Sequence, residues 1–183
     1  MIAFVRIVET ISLWSGRIAA LLIVPLVLSM TYEVLSRYLF DAPTQWAFEV
    51  SYMMMGTIFL LGLAYALRND AHVNVDFIHA RLPKRAMAAI DIVLFIVLLG
   101  LMVWLTRALV FDVLRVYKTG EGSGLSAWNP PLWPYRMVAV TGFALFTLQL
   151  VATIVRRLLI LMGREMPPPG HHPGEISEQA GTA

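Results

Sequence analysis

The sequence predicts an all-α integral membrane protein with four transmembrane helices and a short interfacial segment in one loop. Only 14% of its 183 residues are charged, whereas about a quarter are charged in soluble proteins. Its mean hydropathy is +0.72. Because a chain in hydrocarbon must pair its backbone amides within one segment, each apolar run of roughly 20 residues predicts a spanning helix. Four such runs are present.

The predicted helices cover residues 14–37, 45–67, 86–112 and 136–160. The first contains Pro25, which a membrane helix tolerates because neighbouring helices can satisfy the carbonyl group that it frees. A signal peptide is the alternative interpretation of this run. However, Arg17 interrupts its start and no cleavage pattern of small residues follows its apolar core. We therefore expect the first helix to be retained.

The chain after Arg164 has a different composition. It reads "PPPGHHPGEISEQAGTA" from Pro167, which is proline-rich and polar. Such a segment cannot bury enough apolar surface to fold alone. The sequence therefore predicts a membrane domain over residues 1–164 and a disordered tail over residues 165–183.

The distribution of basic residues predicts the orientation, since cytoplasmic loops are enriched in lysine and arginine. If both termini lie on one side, that side holds nine basic residues: Arg6, Arg17, Arg68, Arg81, Lys84, Arg85, Arg156, Arg157 and Arg164. The opposite side holds four: Arg37, Arg115, Lys118 and Arg136. The count predicts that both termini, the tail and the loop between the second and third helices are cytoplasmic.

The residue types exclude several kinds of site. The chain has no cysteine, which removes disulfides, thiolate metal sites and cysteine nucleophiles. Its four histidines are His72 and His79 in a loop and His171 and His172 in the tail. A haem- or quinone-associated anchor subunit of an electron-transfer complex is the alternative function, but no spanning helix offers a histidine ligand to it. We predict no catalytic, cofactor-binding or metal site.

The membrane charges predict a structural role. The ionisable residues lie one or two helical turns from the helix ends, namely Arg17 and Asp91 toward the cytoplasm and Glu33, Glu49 and Arg107 toward the outside. An autonomous transporter would carry such groups near the bilayer middle. We expect Glu49 to pair with Arg37 or Arg107, and Arg17 with Asp91, so that the pairs fix the helix register. Gln149 is expected to form an interhelical hydrogen bond.

Residues 37–85 resemble the small membrane subunit of TRAP transporters, the tripartite ATP-independent periplasmic carriers. The matching positions are Arg37, Tyr38, Phe40, Pro43, Trp46, Glu49, Gly62, Arg68, His72, Val73, Val75, Asp76, Leu82, Pro83 and Arg85. The resemblance covers about residues 14–160. Phe48 departs from it, since many members have a second acid there, which puts in doubt any role that needs two carboxylates.

The resemblance implies a transporter of three components in the bacterial inner membrane. A periplasmic binding protein captures the substrate, a large membrane subunit moves it with sodium, and the small subunit holds the large one in the bilayer. Organic acids are the implied substrate class. In the loop, Arg68, His72 and Asp76 recur every four residues, so on a helix they would share one face and form a cap over the second helix. We favour this structural role over proton relay or metal binding. The candidates for structural or partner-protein contacts are Arg37, Trp46, Glu49, Arg68, His72, Asp76, Asp91 and Arg107.

Overall fold

The computed structural model describes residues 2–69 and 84–161 and confirms the fold class. Its four helices are α1 (Ile2–Phe40), α2 (Ala47–Arg68), α3 (Lys84–Thr119) and α4 (Trp133–Leu161). Each contains a stretch that is long and apolar enough to cross a membrane. The predicted interfacial segment after Arg68 and the predicted tail, residues 165–183, lie outside the described residues.

Two helices extend well beyond the predicted spans. α1 begins at Ile2 and continues through Pro25, and α3 continues to Thr119. At about 1.5 Å per residue, α1 is roughly 58 Å long and α3 roughly 54 Å, against a hydrocarbon thickness of about 30 Å. Hydropathy marks only the part of a helix that lies in hydrocarbon, because a polar end can remain helical in water.

The helices run up and down in sequence order. α1 and α2 are antiparallel, and their small polar residues bring them together: the Ser15 hydroxyl donates to the Leu61 carbonyl at 3.1 Å, and the hydroxyl oxygens of Ser29 and Ser51 are 3.3 Å apart. Segments 41–46 and 120–132 therefore lie at one end, which we call the loop end. The opposite end, which holds the first turns of α1 and the last turns of α4, is the terminal end.

α4 is the central helix. It packs against each of the other three, and 33% of its most apolar stretch is buried, whereas none of the corresponding stretch of α3 is. α2 and α4 are parallel and approach closely, since a Cβ atom added at Gly142 would lie 2.8 Å from the Leu60 carbonyl oxygen. A Cβ atom at Gly56 would collide with the Tyr135 hydroxyl. Glycine at these positions permits the crossing.

The apolar core is small and lies toward the terminal end. One cluster joins α1 to α4 through Val5, Val8, Ala152 and Val155. The other joins α2, α3 and α4 through Leu63, Leu67, Phe95, Leu98, Leu99, Met102, Phe146 and Leu150. Most of the remaining apolar surface of α1 and α3 is exposed, as suits contact with lipid or with another membrane protein.

Candidate functional site

Glu33 fastens the turn between α1 and α2. It is 7% exposed, and its Oε1 accepts a hydrogen bond from Nε of Arg37 at 3.0 Å. Its Oε2 accepts hydrogen bonds from the Thr44 hydroxyl and from the Thr44 backbone N–H, the latter at 2.9 Å. Arg37 is therefore paired with a carboxylate one turn away on its own helix. The predicted pairing of Arg37 with Glu49 is wrong.

Glu49 lies in the first turn of α2 and is fully buried. Its Oε1 accepts a hydrogen bond from the Ser126 hydroxyl, and its Oε2 accepts none from the described residues. The dipole of α2 favours negative charge at this end, but a buried oxygen without a donor is costly. Because segment 120–132 covers Glu49, a second protein could reach its carboxyl group only if that segment moved.

Segment 120–132 is a compact hairpin. Its two strands of chain are joined by hydrogen bonds from Ser123 N to the Pro130 carbonyl and from Leu132 N to the Glu121 carbonyl, both at 3.0 Å. The Ser126 hydroxyl, which binds Glu49, also accepts a hydrogen bond from the Trp128 N–H at 3.1 Å. This double use of Ser126 couples the hairpin tip to α2. No pattern in the sequence indicates this contact, since serine is common in loops.

Trp46 precedes α2 at the loop end. Its ring stacks on Tyr32 of α1 with 5.9 Å between ring centroids, while 38% of the residue remains exposed. Trp133 makes a similar contact at the start of α4, edge-on to Tyr117 at 5.7 Å. Aromatic side chains at this level suit the boundary between hydrocarbon and water. The prediction that Trp46 contacts a partner protein is not tested by these contacts.

Arg68 ends α2 and is 8% exposed. Its Nη1 donates to Oδ1 of Asn69 at 3.3 Å, and its Nε has no acceptor in the part of the chain that the structure describes. His72 and Asp76, the other two members of the predicted cap, lie outside the described residues. The cap over the end of α2 therefore stays a prediction.

Two polar contacts tie α1 to α4 near the terminal end. The Ser12 hydroxyl donates to Oε1 of Gln149 at 2.7 Å, which confirms the predicted interhelical hydrogen bond of Gln149. Glu9 accepts a hydrogen bond from Nη1 of Arg156 at 3.1 Å. Both contacts join residues far apart in the sequence, so they fix the register of α1 against α4.

Arg17 is exposed on α1, and its guanidinium lies 5.2 Å from the ring centroid of Trp14. The side chain of its predicted partner, Asp91, lies outside the described residues. The pairing of Arg17 with Asp91 thus stays a prediction.

Asp112 forms an ion-pair network that was not predicted from the sequence. Its two carboxylate oxygens bind Arg115 at 2.6 Å and Arg136 of α4 at 3.3 Å. The network joins α3 to α4 near the loop end. The predicted third helix ends at residue 112, so Asp112 was its last residue and Arg115 fell in the following loop. The signal that could have revealed the helix is their spacing of three residues, which places them on one helical face.

Arg107 lies near the middle of the span. Arg136 and Arg157 on α4 are about 31 Å apart along the helix, which matches a hydrocarbon thickness of about 30 Å. Thr147 is midway between them, and its hydroxyl oxygen is 3.5 Å from that of Thr106 on α3. Arg107 is the next residue. The prediction that Arg107 lies one or two turns from the helix end is therefore wrong, because α3 is longer than its hydropathy indicates.

The Arg107 side chain is exposed, and its guanidinium lies 5.8 Å from the ring centroid of Phe111. It forms no ion pair with a carboxylate of the described residues, so the predicted pair with Glu49 is absent there. An arginine at the centre of a spanning helix costs about 2.5 to 3.5 kcal/mol on insertion scales. Arg107 is thus a charge on a spanning stretch of α3 that has no carboxylate partner among the described residues.

These features describe a membrane protein whose polar groups hold helices together rather than line a reaction centre. Among the described residues, no group of three or more histidine, aspartate or glutamate side chains could hold a metal ion. The family model for "Tripartite ATP-independent periplasmic transporters, DctQ component" matches residues 26–159. The chain belongs to this family. The matched range includes Arg37, Glu49 and Arg107, and it covers most of the chain.

A curated relative agrees with the family match. Over 70 residues the chain is 29% identical to the sialic acid TRAP transporter small permease protein SiaQ of Vibrio cholerae serotype O1. The alignment covers 38% of this chain and 40% of the relative, so the chain spans less than half the length of that relative. Components of the DctQ family are transport subunits and not enzymes. The match gives no support to the haem- or quinone-associated anchor.

Proposed function

We propose that this chain is the non-catalytic small membrane subunit of a sodium-coupled, binding-protein-dependent secondary transporter. Its role is to hold the large transport subunit in the bilayer during uptake of a small organic acid or related solute. The sialic acid in the name of the Vibrio cholerae relative is an organic acid, which supports this substrate class.

The close packing of α2 against α4 is the observation that carries the scaffold role. The carbonyl oxygen of Leu60 and the hydroxyl of Tyr135 already occupy the space that a Cβ atom would need at Gly142 and Gly56. A solute therefore has no room to pass between these two helices. The polar pairs Ser12–Gln149 and Glu9–Arg156 hold α1 against α4 in the same way. Helices that are packed and hydrogen-bonded together in this way, within the part of the chain that the structure describes, suit a support for a moving partner.

The exposed helices supply the surface for that partner. The most apolar stretch of α3 has no buried residue, and only 11% of that of α1 is buried. We propose that the large subunit covers part of this surface and that the assembly also works with a periplasmic binding protein. The contacts are expected to lie mainly on the helices and not on the loops, since close packing drives association in a bilayer.

The proposed location is the bacterial inner membrane with both termini in the cytoplasm, as the excess of basic residues at the terminal end indicates. In that orientation the loop end faces the periplasm. The hairpin 120–132, with Leu125 and Trp128 exposed at 56% and 48%, would then be on the side from which the binding protein approaches.

Coexpression tests the proposal. The tagged chain should capture its large subunit in mild detergent, and liposomes with the large subunit, this chain and the binding protein should show sodium-driven uptake. Liposomes that contain this chain alone should show none, because its described helices α2 and α4 pack too closely for a solute to pass between them. Robust uptake by the chain alone would contradict the scaffold role, and failure to capture any large subunit would contradict the assignment as its partner.

A further inference from the structure

An exposed face of α3 surrounds Arg107. Gly100, Trp104, Ala108 and Phe111 follow one another at spacings of three and four residues, so they share one side of the helix with Arg107. Trp104 is 70% exposed and Phe111 is 59% exposed. A Cβ atom added at Gly100 would meet nothing within 4 Å. We call these five residues the Arg107 face.

Lipid tails alone do not suit this face. Trp104 lies close to the middle of the span, far from the boundary where tryptophan is usually enriched. Toward the loop end, the acid nearest to Arg107 along α3 is Asp112, about 7.5 Å farther along the helix, and it is already paired with Arg115 and Arg136. A lipid phosphate could bind the guanidinium only if the side chain extended along the helix to the interface, away from Trp104.

We infer that the Arg107 face packs against a transmembrane helix of a second protein that places an aspartate or glutamate opposite Arg107. This inference rests on the proposed function, under which the second protein is the large subunit. The carboxylate would accept charge-assisted hydrogen bonds from the guanidinium. Gly100 and Ala108 permit the close approach of a second backbone, and the rings of Trp104 and Phe111 flank the ion pair and shield it from water.

The arrangement also explains why the charge is tolerated in this chain. Each of the acidic residues Glu9, Glu33 and Asp112 already binds an arginine of its own, and Glu49 is sealed under the hairpin. No carboxylate of the described residues is paired with Arg107, and in this inference the counter-charge comes from the second protein. A pair formed only in the complex would also select the correct partner, because a helix without the carboxylate would leave the guanidinium unpaired.

Capture of the coexpressed large subunit by the full chain in mild detergent tests this inference. Replacing the charge with an apolar side chain of similar size, Arg107→Leu, is expected to lower the recovered large subunit by about tenfold or more, since it leaves the partner's carboxylate unpaired. Arg107→Lys keeps the charge and should keep most of the recovery. Lys118→Leu is the matched control, because Lys118 is exposed in the last turn of α3, and its recovery should equal that of the original chain.

Several outcomes would decide the matter. Recovery by Arg107→Leu equal to that of the original chain would overturn the inference and leave the proposed function intact. Failure of the original chain to recover any large subunit would overturn both. If recovery were unchanged but Arg107→Leu lost bound anionic lipid in native mass spectrometry, a lipid phosphate would be the ligand and the inference would again be overturned.

Two measurements distinguish loss of the ion pair from misfolding of the variant chain. Circular dichroism and gel filtration of the Arg107→Leu chain in isolation should match the original. Arg107→Glu should also fail to capture the partner, and exchange of a single intramembrane aspartate or glutamate of the large subunit for arginine should restore capture. Absence of restoration at every such acidic residue would contradict an ion pair at this face.

Discussion

The crossing of α2 and α4 makes Gly142→Ala the most informative stability variant. A Cβ atom at Gly142 would lie 2.8 Å from both the Cβ atom and the carbonyl oxygen of Leu60. The obstacle includes backbone, so it cannot turn aside as a side chain would, and one helix must shift. Overpacking of this kind typically costs about 1 to 3 kcal/mol.

The matched control is Gly62→Ala on α2, where an added Cβ atom would meet nothing within 4 Å. Both substitutions gain about 0.5 to 1 kcal/mol, because alanine restricts the unfolded chain and favours helix. This gain cancels when the two variants are compared. The difference in the free energy of unfolding is then the cost of the clash alone, about 1 to 3 kcal/mol.

The assay is thermal unfolding of each purified chain in the same detergent, followed by tryptophan fluorescence. For a chain of this size, 1 kcal/mol shifts the melting temperature by about 2 to 4 °C, so Gly142→Ala should melt roughly 2 to 12 °C below Gly62→Ala. Equal melting temperatures, or a higher value for Gly142→Ala, would refute the close crossing and with it the argument that no solute passes between α2 and α4.

Three further outcomes are expected. Ser126→Ala should lower the free energy of unfolding by about 1 to 3 kcal/mol, since it leaves both oxygens of the buried Glu49 without a donor. In a chain that already carries Glu49→Leu, adding Ser126→Ala should lower the melting temperature little further. A melting shift of the double variant equal to the sum of the two single shifts would contradict the contact. Asp112→Asn should destabilise the isolated chain more than Glu121→Gln, a change at an exposed carboxylate, because Asp112 binds two arginines on two helices. Equal unfolding temperatures for these two variants would show that the network contributes nothing. Deletion from Pro167 onward should leave capture of the large subunit unchanged, because the expected contacts are helical, and loss of capture would contradict that expectation.

The position of Arg107 along α3 could not be predicted from hydropathy. Hydropathy located the apolar run of α3, but it could not show that the helix continues past Asp112 to Thr119. Whether a polar residue such as Asp112 continues a helix or ends it depends on its tertiary contacts, and here Asp112 pairs with Arg136 of α4. Because the sequence does not show that contact, the predicted third helix ended too early. Arg107 was therefore expected near the helix end, whereas it lies near the middle of the span in α3.

The partner of Glu49 illustrates the same limit. Arginines at a similar level were reasonable candidates by charge, yet Arg37 binds Glu33 on its own helix, and the donor to Glu49 is Ser126 in a loop. A loop serine carries no pattern that distinguishes it before folding. Gln149, by contrast, was correctly expected to bind another helix, because an amide deep in an apolar span has few other ways to be satisfied.

The sequence by itself determined that the chain crosses the membrane four times, and its motif block from Arg37 to Arg85 identified the family that the match over residues 26–159 shows. These properties are local, because whether a segment can span the bilayer depends on its own length and apolarity. Only the tertiary structure decided that α4 is central, that Glu49 is sealed by the hairpin, and that Arg107 faces outward at depth. These depend on how far each helix extends and how it is rotated against its neighbours, which is set by contacts between residues distant in the sequence.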